Sequence, residues 1–311
     1  MARYVLKRLL MTVPVLMGIS LIIFTVMSLS PGSPARLFLG ERAEESAVHE
    51  LNEKLGFNDP FMIKYLRYMS RAARGDFGLS YKTKLPVVKE ILTRFPTTAK
   101  LALLAMLISS ALSIPLGVLC AIKQYSAFDS AIMVLALIFV AMPAFWLGLL
   151  LILLFSLHLG WLPVAGAESW RHFILPAATL ALVNVAVDLR MTRSTMLEVI
   201  RQDYIRTARA KGVPERRIIV RHALRNAMMP VVTSIGINLG MLLGGTIVTE
   251  AVFGMPGLGS LLLSSIRMKD IPMVMGCVLF LSFTFSLVTL AVDLSYGFFD
   301  PRIRVAYGRK P

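Results

Sequence analysis

Six apolar runs govern what this chain can become: Leu9–Leu29, then about Thr98–Ile122, Ser130–Leu157, Leu175–Met191, Val231–Val252 and Pro272–Leu294. As helices rising about 1.5 Å per residue, runs of this length cross the roughly 30 Å of hydrocarbon in a bilayer. With 56% apolar and only 16% charged residues, the chain lies outside the range of soluble domains. The sequence therefore predicts an all-α membrane protein with six transmembrane helices. The first run follows Arg3, Lys7 and Arg8 but exceeds the apolar core of a secretory signal, about 7 to 15 residues, and reads as a retained helix.

Basic residues orient the spans. The positive-inside rule puts Lys123 inside, the tryptophan-bearing loop Trp161–Phe173 outside, the basic segment after Arg190 inside, Phe253–Asp270 outside and the tail DPRIRVAYGRK inside, so both termini face the cytoplasm. A net charge of +15 would also suit nucleic acid, but these charges sit in loops beside spans rather than along one stripe interleaved with aromatics. No nucleic acid partner is expected. Pro14, Pro115, Pro143, Pro176 and Pro230 lie in or beside the first five spans and Pro272 opens the sixth, a pattern that bundle interiors tolerate. Cys120 and Cys277 fall in spans towards opposite faces, which makes a disulfide between them improbable.

Three divisions follow: residues 1–29, the cytoplasmic N-terminus and first helix; 30–96, an outer helical segment; and 97–311, a core of five helices with an inner loop at 193–230. In the outer segment Val48, Leu51 and Leu55 share a helix face that stops at Gly56. A second helix is expected to start at Asp59-Pro60 and run to Arg74-Gly75, and a third near Pro86 with Val87, Ile91 and Phe95. A lid, a docking surface and a plain cap on the helix ends all fit.

The stretch from Glu198 to Pro230 is the least membrane-like. From Arg190 to Arg225 there are ten Lys/Arg against three Asp/Glu. Tyr204, Ile205 and Ala208, then Val213, Ile218 and Ile219, recur at helical spacing around Gly212-Val213-Pro214, which predicts two short amphipathic helices whose apolar faces need a partner.

Within the spans, Asn184, Asp188 and Thr192 are spaced by four on one helix face, and an ionised Asp near mid-bilayer costs about 2.5 to 3.5 kcal/mol. That face could line a pathway, join helices by hydrogen bonds, or let Asp188 meet a basic residue. Thr246 and Glu250 share another face, as a gate or as a carboxylate among headgroups, while Gly236, Gly240 and Gly244 read as a packing seam and Asp293 as structural. No GxxxxGK[ST], HExxH, GxSxG or SxxK arrangement occurs, and His49, His158, His172 and His222 are scattered. No catalysis and no metal site is expected. Uphill work would draw on ions, as in a secondary carrier, or on another subunit; a carrier would show repeated halves, which are not seen.

Several words then combine. YIRTARAKGVPERRIIVRHALRNAMMPVVT (Tyr204 to Thr233), SPGSP (Ser30 to Pro34), GDFGLSY (Gly75 to Tyr81), TEAVFGMPGLG (Thr249 to Gly259) and YGFFDPRIR (Tyr296 to Arg304) together resemble the permease subunits of bacterial ABC importers for dipeptides, oligopeptides and nickel, of the DppB/OppB type, over essentially the whole chain. The resemblance implies a type I importer permease fold in the bacterial inner membrane. The basic segment then resembles the family's EAA loop, with Ala208 and Gly212 at its second alanine and its glycine, Arg206 in place of its first glutamate, His222 at its isoleucine, Leu224 at its leucine, and the proline delayed to Pro230. By resemblance, Tyr204, Ala208, Gly212, Val213, Pro214, Glu215 and Arg216 couple to ATPase subunits; the intramembrane polar residues Asn184, Asp188, Thr246 and Glu250 remain, from their placement alone, the candidates to line the path. The implied partners are a homologous second permease of the DppC/OppC kind, two ABC ATPases that bind the ATP and Mg, an extracytoplasmic solute-binding protein and membrane lipid. No cofactor is implied in this chain.

Overall fold

The computed structural model describes residues 2–29, 34–40, 42–54 and 58–299. Most of the word SPGSP (residues 30–33), Leu55 with Gly56, and the tail beyond Phe299 lie outside the described residues. Among those described the architecture is helical: α1 (Ala2–Leu29), α2 (Pro34–Leu39), α3 (Glu45–Lys54), α4 (Phe61–Ala72), α5 (Val87–Ile122), α6 (Ala127–Ala141), α7 (Ala144–Leu151), α8 (Ile174–Ile200), α9 (Asp203–Ala210), α10 (Glu215–Arg217), α11 (Leu224–Gly245), α12 (Ile247–Val252), α13 (Leu258–Arg267) and α14 (Ile271–Phe299). A π-helical turn, Ile152–His158, extends α7, and another, Ile218–Ala223, joins α10 to α11. Five of these helices are long and apolar enough to cross a membrane.

The expected third span is broken. Ala127–Ala141 and Ala144–His158 meet at an angle of 103°. Met142 is extended (φ −81°, ψ 128°) because the ring of Pro143 disfavours helical backbone in the residue before it, and Pro143 then becomes the N-cap of α7. At the other end of α6, Ser126 accepts a hydrogen bond from the Asp129 amide, the usual way a helix start is satisfied.

The outer segment departs from expectation twice. Helix α4 is capped by Pro60 with no side-chain cap, and Asp59 instead accepts from Arg67 at 2.6 Å. The expected third outer helix is not separate: α5 starts at Val87 and runs unbroken through Pro96 and Pro115 to Ile122. The word GDFGLSY is a turn, in which Asp76 accepts from Arg71 at 2.9 and 2.8 Å and from the Gly78 amide at 2.9 Å. Those donors hold the Asp76 carboxyl below its ordinary range. Ser80 donates to Asp270 at the head of α14, tying the turn to the last span.

Small residues set the helix spacings. A Cβ on Gly117 of α5 would stand 2.6 Å from Thr192 Cβ of α8, and one on Gly236 of α11 would stand 2.1 Å from Val292 Cγ2 of α14. Gly240 meets Phe285 in the same seam, whereas Gly244 has open space beside it. That space is part of a cavity of about 490 Å³ between α1, α11 and α14, bordered by Arg8, Met241 and Phe285 among others. Below it Asp293 accepts from Tyr4 at 3.0 Å and pairs with Arg8, which clasps the first helix to the last.

Candidate coupling elbow and intramembrane polar contacts

The basic segment folds as an elbow, not as two short helices. Helix α9 is short, but α10, the π turn and α11 form one helix from Glu215 into the fifth span. The bend between them is a Schellman ending: the Val213 amide donates to Ala208 O at 3.2 Å and the Gly212 amide to Arg209 O at 2.9 Å. Gly212 stands at φ +73°, the left-handed region that costs an L side chain about 1–2 kcal/mol. Pro214, as N-cap, starts the next helix with ready-made φ.

The apolar faces that needed a partner find it in this same chain. Ile205 and Ile218 are fully buried against Ala121, Met196, Ala223 and Ala227 at the basic end of the bundle, with Ala208, Val213 and Leu224 packed beside them. Asn226 of α11 donates to the Tyr204 hydroxyl at 2.8 Å, and Arg209 pairs with Glu215 across the bend at 2.6 Å. The seven residues expected to couple therefore share one bend. Ala208 and Val213 are half-buried and brace it, while Tyr204, Gly212, Pro214, Glu215 and Arg216 form its exposed side.

One residue that sequence reasoning missed, Asp129 of α6, is tied to the part of α8 that leads into the elbow. Arg193 donates to both oxygens of Asp129, at 2.7 and 2.6 Å, a bidentate pair with 4% of the Asp129 side chain exposed. Asp129 also accepts from the Tyr125 amide at 3.0 Å. The only signal in the sequence was one acid beside a capping serine, which does not announce a partner 64 residues away.

The residues expected to line a path are separated. Asp188 is 2% exposed and accepts from Ser234 at 2.9 Å, Asn238 at 2.8 Å and Ser109 at 3.4 Å, so it joins α8 to α11 and α5. Asn184 and Thr192 share its face but bond backwards to their own helix, at Leu180 O and Asp188 O. Of the three readings open for Asp188, the geometry is that of helix-to-helix hydrogen bonding; no basic residue pairs with it among the described contacts.

Glu250 lies at the opposite end and is fully buried, so it is not a surface carboxylate. Its carboxylate accepts from Thr98 at 2.6 Å, Thr246 at 3.0 Å and the Ser260 amide at 2.9 Å. The loop GMPGLG wraps it so closely that a Cβ on Gly257 would stand 2.3 Å from Glu250 Cδ. The carboxyl group sits at the start of α13, where the Ser260 amide donates to it. Asn184, Asp188, Thr246 and Glu250 are absent from the lining of the 490 Å³ cavity.

Membrane-length helices around a polar-pinned core, with a braced basic elbow at one end, define a multi-pass helical membrane protein. The chain belongs to the family described as binding-protein-dependent transport system inner membrane component, which residues 113–305 match, while residues 1–102 match the corresponding N-terminal membrane component family. It is 42% identical over 304 residues to the glutathione transport system permease protein GsiC of Escherichia coli strain K12, covering 98% of this chain and 99% of that one. The GsiC of Salmonella paratyphi A gives the same identity and coverage. The fold is similar to that of a chain of the inward-facing MetNI methionine ABC transporter, with a TM-score of 0.59, 19% identity, and coverage of 68% of this chain and 96% of that one. The protein is thus a non-catalytic inner-membrane permease component of an ABC importer.

Proposed function

We propose that this chain, paired with a homologous second permease, forms the route for a peptide-type solute handed over by an extracytoplasmic binding protein, and that the elbow at 198–230 receives force from two ATPase subunits. The glutathione of the 42% identical relatives makes a small γ-linked or ordinary peptide the leading solute class. ATP and Mg belong to the ATPases in this reading, and the chain carries no cofactor of its own.

The observation that supports it is the bracing of the elbow: its apolar side is seated on the bundle while Tyr204, Glu215 and Arg216 face outward. A loop that only lay on lipid would gain nothing from such stiffness. A push transmitted to spans does, since moving an equilibrium from 1:99 to 99:1 takes about 5.5 kcal/mol of differential binding. In this arrangement Asp188 and Glu250 act as pins that let helices move as units, and the solute route runs along the face shared with the second permease.

The test is reconstitution of the chain with its second permease, ATPases and binding protein in vesicles, followed by uptake of labelled glutathione and dipeptides. Uptake should require ATP and survive an ion-gradient uncoupler. Accumulation by the isolated chain, or uptake that follows the gradient and ignores ATP, would overturn the proposal.

A further inference from the structure

Helix α4 belongs by sequence to the polar outer segment, yet its contacts place it lower. Phe61 and Tyr65 pack their rings on Phe24 of α1, with centroids 5.3 and 5.6 Å apart. The Tyr65 hydroxyl reaches further down α1, at 2.9 Å from Ser20 Oγ and 3.1 Å from Met17 O. On the other side the same cluster includes Met275 of α14, fully buried, with Ile271 beside it.

These contacts act as depth gauges. Phe24 lies five residues below the outer end of α1 at Leu29, and Met275 four residues below the start of α14 at Ile271. At about 1.5 Å per residue that is about 7.5 Å and about 6 Å below the outer ends of the two helices. Helices lying in a membrane interface bury their apolar face about 5–10 Å into the headgroup and acyl boundary.

The rest of α4 matches that depth. Its inner side is Phe61, Tyr65, Tyr68 and Met69. A second apolar side, Met62, Ile63 and Leu66, remains 54%, 50% and 56% exposed, although residues of an outer aqueous helix would be polar there. In the upper part of α1, Ile22 and Val26 are likewise exposed, at 63% and 59%, on a helix apolar enough to span a membrane. Lys64, Arg67, Arg71 and Arg74 occupy the remaining, polar sector, where Arg67 pairs with Asp59 and Arg71 with Asp76.

We infer that α4 is an interfacial helix seated in the outer leaflet, with Met62, Ile63 and Leu66 against phospholipid acyl chains. The expected outer segment is then divided: α4 anchors in lipid and only the remainder stands in water. A lipid-seated α4 gives α1 and α14, the helices flanking the 490 Å³ cavity, a common brace at their outer ends.

The experiment attaches an environment-sensitive fluorophore at Leu66→Cys and, separately, at Met62→Cys, in the full chain with its copurifying subunits retained, in phosphatidylcholine vesicles. Both sites are exposed and substitution there leaves the packed side of α4 intact; Glu50→Cys on α3 serves as the aqueous control. Phosphatidylcholine brominated on its acyl chains should remove most of the emission at positions 66 and 62, with aqueous iodide ineffective there and effective at position 50. Quenching of 66 and 62 by iodide would place the side in water. Insensitivity to both quenchers would mean that a protein partner covers it. Either result overturns the inference.

Discussion

Thr98 on α5 and Glu250 on α12 stand 152 residues apart in the chain and share a 2.6 Å hydrogen bond in a fully buried pocket. Thr98 in turn accepts from the Leu258 amide at 2.8 Å, so one hydroxyl joins α5, α12 and the first residue of α13. A buried carboxylate is costly in a membrane protein unless each oxygen is satisfied, and here each is.

Glu250→Ala is therefore expected to destabilise the purified protein by about 3 kcal/mol or more, because it strands donors in an apolar pocket. Gly257→Ala should also destabilise, since its Cβ would stand 2.3 Å from Glu250 Cδ. In the Glu250→Ala background the space is vacant, so the same glycine substitution should add little. Thermal unfolding of the four proteins in detergent gives the coupling; strictly additive losses would show that the two residues do not meet.

The Asp129–Arg193 pair makes a second prediction. Removing one partner of a buried ion pair costs about 3–5 kcal/mol, and the lower end applies here because 22% of the Arg193 side chain remains exposed. Asp129→Ala should therefore lose about 3 kcal/mol, again read by thermal unfolding. The exchange Asp129→Arg with Arg193→Asp should recover part of that loss. A single variant as stable as the parent would remove the pair from its assigned role.

The elbow can be strained without touching its surface chemistry. Gly212→Ala costs about 1–2 kcal/mol at φ +73°, whereas Gly212→Asn, which visits that region more easily, should cost less. Solute-stimulated ATP turnover of the assembled importer is expected to fall in the order glycine, asparagine, alanine. Charge reversal at Arg216 and Arg217 should lower turnover at unchanged thermal stability, since both are exposed. Parental turnover in the reversed variant would disprove the coupling assignment.

Gly236 and Gly244 should behave differently from one another. Gly236→Ala drives a methyl into Val292 and should cost about 1–3 kcal/mol, a loss that Val292→Ala relieves. Gly244→Ala meets nothing within 4 Å and should be neutral or stabilise by about 0.4–1 kcal/mol through reduced freedom of the unfolded chain. Equal effects at both positions would show that the GxxxG spacing, rather than contact with α14, governs this surface.

Much of the architecture was legible because it follows from local rules. Apolar run length located the spans, and the Gly212-Val213-Pro214 punctuation located the bend. The break at Pro143 was legible as a proline but not as a right-angled turn, because a proline can kink, end or merely border a helix, and packing chooses. Likewise the separate outer helix expected at Val87 merged into α5, since no local signal ends a helix at Phe95 when Pro96 is tolerated inside it.

Polar residues inside the spans mark where the difference between sequence and structure lies. A carboxylate in an apolar run declares by itself that it must find partners, and the sequence determined that much for Asp188, together with where the apolar runs lie; Glu250 it left open between a gate and a carboxylate among headgroups. Which donors these carboxylates find was decided only by the tertiary structure, which brought Ser109, Ser234 and Asn238 to Asp188, Thr98 and Ser260 to Glu250, and Arg8 to Asp293. Helical periodicity fixes the face a residue occupies on its own helix, but the neighbour it meets depends on how separate helices are rotated and spaced, and that comes from small-residue contacts such as Gly117 on Thr192.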